Sequence, residues 1–511
     1  MELVNNQQRF TRAASLLTAA YLCAVFFGLP LIFTHYFFNI TETKLAFFLI
    51  SSGAYLLLLL FARIAFPPEC EPKLRRTPPH PAALALAALF AVSVVGALIS
   101  RYPDEAFWGD NNRYQGILTL FTYALLALVF SYRRVDLCRP ERALVLGAAL
   151  VGLLGLLNHF GADPFGFYEH LREADRGRFL STIGNADFYG AYLVMAFAVM
   201  LGSFLRAKSL PARILSMIAL VCVSFGALVA GSDSAALGLI ASALTFPLLL
   251  FRDRAAMRRL VLCWGVFFFC AFVFGLLSQT LPSATYLSAF TVFLSGAAVS
   301  LPLAAVSVLG WISLRHIDET RLRRLLRPYW ITLAALFALA VLALVLLNTV
   351  LRDLPLGSLA RYLRFSGSWG TDRGRIWTFV MRFYASLPRM QQLFGASSGA
   401  LFHADAIHPL FSDASLDTAH NEYLQYLVTN GALGLLCYLA ALAFAIRAGV
   451  RKCAGSPVYR GIVVAVIACA AQAAVNIAQP ASTPLFFVLL AVLVSRPAEA
   501  PQDMGVSPER T

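Results

Sequence analysis

The chain has 511 residues, of which 59% are hydrophobic and only 13% charged. Its mean hydropathy of +0.71 excludes an ordinary soluble domain, in which about a quarter of residues carry charge. The formal net charge of +14 falls in short basic clusters between apolar runs, so it reads as a membrane-topology signal and nucleic acid is not needed as a partner.

Apolar runs of about 20 residues, the length that crosses a bilayer, recur from end to end. They fall near 14–36, 44–65, 81–100, 115–132, 142–160, 186–205 and 212–230, then near 234–251, 259–278, 286–313, 329–350, 419–445, 459–478 and 482–495. The pattern predicts an all-α, polytopic bundle of about fourteen transmembrane helices. The first run has no small-residue cleavage site and leads straight into the second, so it reads as an uncleaved anchor. Residues 1–496 then form one membrane domain, and the polar, Pro-containing stretch 497–511 is predicted to be a disordered tail.

Alternate connections are strongly basic. They carry Lys73/Arg75/Arg76, Arg133/Arg134/Arg139/Arg142 and Arg206/Lys208/Arg213, then Arg252/Arg254/Arg258/Arg259, Arg315/Arg321/Arg323/Arg324/Arg327 and Arg447/Arg451/Lys452/Arg460. Short cytoplasmic loops retain positive charge, which puts these clusters and both termini in the cytoplasm. Of nine cysteines, Cys70, Cys138 and Cys453 fall in cytoplasmic segments and six within spans. None lies in an outward loop where oxidation would pair it, and no CxxC spacing suggests a metal.

Three outward segments are longer than a turn requires: 101–116, 161–185 and, by far the largest, 351–418, in which short helices are expected. Within the last, Ile376, Trp377, Val380, Tyr384 and Leu387 share one helical face. Such a helix either lies flat at the headgroups with Trp377 as anchor or packs over the bundle.

Arginine on the outer side runs against the positive-inside bias. Arg113, Arg176, Arg178, Arg361, Arg364, Arg373 and Arg375 all fall there. Guanidinium binds phosphate through paired hydrogen bonds and holds its charge at any relevant pH. Each could instead pair with Asp104, Asp110, Asp175 or Asp372; Arg373 and Arg375, beside Trp377, stand out as ligands for a charged lipid headgroup.

His420 stands where the largest outward segment enters an apolar run. Asp417 or Thr418 is placed to cap the helix, with Glu422 in its first turn. His420, Leu424, Leu427, Gly431 and Gly434 follow helical spacing, and the two glycines would let a neighbouring helix approach. An imidazole in this place can accept a proton near neutral pH, and Asn421 can orient it or a sugar. Gly184-Asn185 suits a helix cap or a saccharide hydroxyl. Asp233, in the tight turn Gly231-Ser232-Asp233-Ser234, could accept a proton, pair with an outer arginine or cap a helix.

His420, Asn421, Gly431 and Gly434 together resemble the H-N-x9-G-x-x-G signature of the O-antigen ligase and polymerase superfamily. RYQGILTL around Arg113, RFLSTIGNADFYGAYL at Arg178 and Asn185, the R-x-x-I-W element at Arg373 and Trp377, and LFGASSGALF at Gly395 agree in order. The resemblance covers about 100–495. It implies a metal-independent transferase, with no cofactor, in the bacterial cytoplasmic (inner) membrane and with an extracytoplasmic active site. Such an enzyme moves a glycan from an undecaprenyl-diphosphate carrier to an acceptor hydroxyl on a lipid or on another glycan. It also implies that His420 assists the acceptor hydroxyl and that Arg373 engages the diphosphate, with Arg375, Arg113, Arg178, Asn185, Asn421 and Asp233 as substrate-binding candidates. The chain departs from many ligases at Ser232-Asp233-Ser234, where they carry Ser-Arg, and at Leu435-Leu436, where they carry a threonine pair. The rival from another class is a transporter or flippase for lipid-linked saccharides, which predicts charge along a path through the spans.

Overall fold

A computed structural model describes residues 2–67, 78–110, 112–407, 410 and 416–496. The tail predicted over 497–511, together with Cys70, Lys73, Arg75 and Arg76, lies outside the described residues, as does the side chain of Arg361. The described residues are 75% helical, and among them the sheet is one antiparallel pair, β1 (Phe179–Leu180) with β2 (Gly184–Asn185).

Each predicted run coincides with an apolar helix. Among the described residues ten are long and apolar enough to cross a bilayer: α1 (Asn6–Leu31), α2 (Ile40–Ala65), α3 (Pro81–Leu98), α5 (Cys138–His159), α6 (Ala186–Arg206), α7 (Leu210–Val229), α9 (Arg254–Thr280), α11 (Glu319–Asn348), α12 (Glu422–Lys452) and α13 (Pro457–Val475). The pair Ala289–Ser295 and Ala297–Ser313, bent by 62°, makes α10. The remaining three, α4 (Ile117–Phe130), α8 (Asp233–Leu249) and α14 (Thr483–Val494), are shorter. With 12 residues, α14 rises about 18 Å against about 30 Å of hydrocarbon. The irregular stretch before it holds its own backbone: Thr483 Oγ1 accepts from Gln479 N–H at 2.8 Å, and Gln479 Oε1 from Ala481 N–H at 2.9 Å. Non-helical backbone at membrane depth persists only where protein satisfies it in this way.

Packing follows from how apolarity is distributed around each helix. In its most apolar stretch α6 is 94% buried, whereas α11 is more apolar still and has none of that stretch buried. α6 is therefore the axis of the bundle. It meets α13 where a Cβ on Gly202 would lie 2.9 Å from the Gly461 Cα, and α7 meets α5 through Gly226 and Gly152 in the same manner. Lys44 is a fully buried charge in a span, but its ammonium donates to the Leu29, Pro30 and Ile32 carbonyls at 2.9–3.0 Å, where α1 ends. It caps a helix rather than marking a transport path.

The bundle has two unlike ends. At one, the described basic connections gather, as the alternating charge pattern requires. Arg206 pairs with Glu141 at 2.6 Å and Arg460 with Asp253 at 2.8 Å. Arg259 donates to the Leu205 and Ala207 carbonyls, Arg254 to that of Ile317, and Arg496 N–H to that of Arg133.

At the other end the three long segments converge. Segments 101–116 and 351–418 are joined by Ser100–Ser397, Glu105–His403 and Arg113–Asp417. Segment 161–185 docks through Phe167 and Phe179 on Phe37, between α1 and α2. The helix Trp369–Ser386 packs over the bundle, with Ile376 and Val380 buried against Leu401, Leu416, Ala419 and Val428. Trp377 is not a free membrane anchor: its indole N–H donates to the Ala419 carbonyl at 3.1 Å.

Candidate functional site

His420 lies one residue outside the helix predicted to hold it. The cap of α12 is Asn421, whose Oδ1 accepts from the N–H groups of Tyr423 and Leu424 at 3.0 and 3.1 Å, and neither Asp417 nor Thr418 fills that role. His420 takes a left-handed backbone with φ 47°, an uncommon conformation for a residue with a side chain and one that clusters at functional sites. Its neighbour is fixed from both sides, Ala419 N–H donating to Gln425 Oε1 at 2.9 Å and Ala419 C=O accepting from Trp377. The imidazole itself makes no hydrogen bond among the described residues.

The continuous face through Gly431 and Gly434 is interrupted. Gly431 has φ 71° and ψ 179°, so α12 is broken there. The freed Val428 and Thr429 carbonyls accept from Ala396 and Ser397 N–H at 2.8 and 3.1 Å. A Cβ at Gly431 would collide with the Leu393 carbonyl and lie 2.6 Å from Gly395 N. Only Gly434 serves as a helix contact, facing Leu89 and Val92 of α3. The break thus seats the 393–397 loop, which carries the end of the large insert, directly above the bundle.

The charges of two arginines act on the histidine. Arg113 donates through Nη2 and Nε to Asp417 Oδ2 at 2.6 and 3.1 Å, and its guanidinium carbon lies 5.8 Å from the Phe188 ring centroid. Arg373 donates to the Gly370 carbonyl at 2.6 Å, to Thr371 Oγ1 at 3.0 Å and to the Val475 carbonyl at 3.0 Å, while its buried Nε has no partner. The His420 pKa is lowered, by burial first, then by Arg373 and Arg113 against the opposing carboxylates of Asp417 and Asp187. The neutral, proton-accepting form is the one this environment favours.

Asp187 is the residue that sequence reasoning passed over. Asn185 caps α6 by accepting from Asp187 N–H at 2.9 Å, and the Asp187 carboxylate accepts from the hydroxyls of Ser232 and Ser234. The turn before α8 therefore presents its two serines to the site. Asp233 between them is exposed and neither caps the helix, a role Ser232 fills, nor pairs with an arginine among the described residues. Other expected ligands also stand apart. Arg375 is 52% exposed and paired with Asp372 at 2.7 Å, the Arg178 side chain is exposed, and Arg364 donates to the Leu351 carbonyl.

At the entry to α12 a cavity of about 40 Å³ is lined by Arg113, Gln115, Thr418, Glu422, Gln425 and Asn430, with Ile477 and Ala478 from the stretch before α14. It is large enough for two or three waters, at roughly 15 Å³ each, and too small for a sugar ring. Gln115 Oε1 and Thr418 Oγ1 are buried without a partner. Glu422 Oε1 accepts from the Tyr438 hydroxyl at 3.0 Å, and Asn430 donates to Ser93 Oγ at 2.7 Å. Unpaired buried polar atoms are costly and collect where a ligand or water completes them. Among the described residues no group of three or more His, Cys, Asp or Glu is placed to hold a metal ion. No protein-family model matches the chain, and no curated protein matches it.

Proposed function

We propose that the protein is a membrane glycosyltransferase. It moves a glycan from an undecaprenyl-diphosphate carrier to an acceptor hydroxyl, on the extracytoplasmic face of the bacterial cytoplasmic membrane. The observation that carries this reading is an unengaged imidazole, biased toward its neutral form, beside two half-buried guanidiniums at one end of an apolar bundle. The resemblance at His420–Gly434 and Arg373–Trp377 to the O-antigen ligase and polymerase superfamily points the same way.

In the proposed reaction the acceptor oxygen attacks the anomeric carbon while its proton passes to His420. The bond from that carbon to the diphosphate oxygen breaks, and its electron pair leaves on the diphosphate. Arg373 and Arg113 meet the charge that develops there, which is stabilisation by donors already in place. Arg113 then exchanges part of its bond to Asp417 for the diphosphate. His420 contributes about 10²–10⁴-fold as general base.

His420→Ala is expected to abolish transfer from a lipid-linked oligosaccharide while the protein remains in the membrane; full activity in that variant would end the proposal. The same assay separates two acceptors. Products attached singly to a lipid acceptor mark a ligase, and products growing as ladders mark a polymerase.

A further inference from the structure

The basic end of the bundle holds a second cavity, of about 810 Å³, far larger than the one at the entry to α12. Its walls come from the start of α3, the ends of α4, α12 and α14, and the start of α13. Arg447, Arg451, Lys452 and Arg496 line it with His80, and no carboxylate is among the described residues that line it.

Lys452 has a structural task, since its ammonium donates to the Ser495 carbonyl and to Ser495 Oγ, which closes the end of α14. Arg447 and Arg451 have none of this kind: both side chains make no hydrogen bond or ion pair among the described residues. They stand four residues apart on α12, where like charges repel. Two other cations at this end meet carboxylates, Arg206 on Glu141 and Arg460 on Asp253.

His80 Nδ1 accepts from Ala82 N–H at 3.2 Å, a tautomer that leaves Nε2–H free to donate. The imidazole pKa is lowered by burial first and then by Lys452 and Arg451, so the positive field extends across the cavity. The buried Tyr459 side chain also lines the wall, beside Ser495. At the rim Phe444 is exposed, three residues before Arg447 and on the same side of α12.

A set of fixed donors with excess positive charge and one apolar edge matches an anion that carries or adjoins an acyl chain. We propose that this cavity binds a phosphate oxyanion, held by Arg447 and Arg451, with the phosphate supplied by an anionic phospholipid headgroup or by free inorganic phosphate. Basic pockets between transmembrane helices recognise lipid phosphates through this chemistry. The site is independent of the glycan-transfer reading and stands whether or not that reading fails.

The test uses the full-length protein in detergent, titrated calorimetrically with dihexanoyl phosphatidylglycerol, with inorganic phosphate and with dihexanoyl phosphatidylcholine. Phosphatidylglycerol is expected to bind at least tenfold more tightly than phosphatidylcholine, and Arg447→Gln with Arg451→Gln to weaken it about 20-fold, roughly fivefold for each cation near the surface. Tighter binding of phosphatidylglycerol than of phosphate assigns the lipid as source, and equal binding assigns the free anion. Arg447→Lys with Arg451→Lys should restore most of the affinity, which separates charge from folding. Equal binding of all three probes, or no loss in the double glutamine variant, overturns the proposal.

Discussion

The two ends of this bundle use the same residue types for opposite purposes. At the basic end several cations fasten helices together. Arg206 sits on Glu141, a carboxylate only 1% exposed, and Arg259 and Lys452 cap the carbonyls of neighbouring helix ends. At the other end Arg113 and Arg373 are also bonded, but they converge on an imidazole that has no partner. An arginine that completes a helix end belongs to stability. One whose charge acts on an unpartnered ring belongs to chemistry.

That contrast is broken most forcefully by removing one cation from each end. Arg206→Gln strands a buried carboxylate, so the protein should lose about 3–5 kcal/mol of stability in thermal unfolding while the folded fraction transfers glycan at the wild-type rate. Arg373→Gln should do the reverse, lowering transfer by about 10²–10³-fold with little change in melting temperature. Equal loss of rate in both variants would erase the distinction.

Smaller effects sharpen it. Gly431→Ala forces a side chain into φ 71° and against the Leu393 carbonyl. It should cost about 1–3 kcal/mol and release the 393–397 loop, seen as faster hydrogen exchange at Ala396 and Ser397. Arg375→Gln removes only an exposed pair, so stability should shift by about 0–1 kcal/mol and transfer by less than about threefold. An effect of Arg375→Gln matching that of Arg373→Gln would show that the helix phase has been misjudged.

The spans were legible because a bilayer demands long apolar runs, and the common side of the basic clusters was legible because charge resists translocation. The site was readable only in part. Arg373 and Arg375 look alike in the sequence, yet two residues of helix turn them to different sides, and the structure puts Arg113 where Arg375 was expected. Gly431 read as a packing glycine. The signal to the contrary was Asn430-Gly431, a turn dipeptide inside an apolar helix. Asp187 was hidden by its neighbour in function: the turn at Ser232–Ser234 drew attention to its own acid, while its serines serve an acid at the start of α6. Partners of this sort meet only through tertiary packing, which no local pattern encodes.

The central claim is that His420, Arg373, Arg113 and Asp417 act on one another. It is tested most directly by following the His420 ring by NMR across pH in the full-length protein, where no substrate is required. The wild-type ring should titrate below the ordinary value of about 6.5. Arg373→Gln removes a positive neighbour and should move the midpoint up; Asp417→Asn removes a negative one and should move it down. Because the neutral ring is the base, the acid limb of kcat/KM should follow the same shift in Asp417→Asn. A ring that titrates near 6.5 and ignores both substitutions would mean that these groups do not share a site.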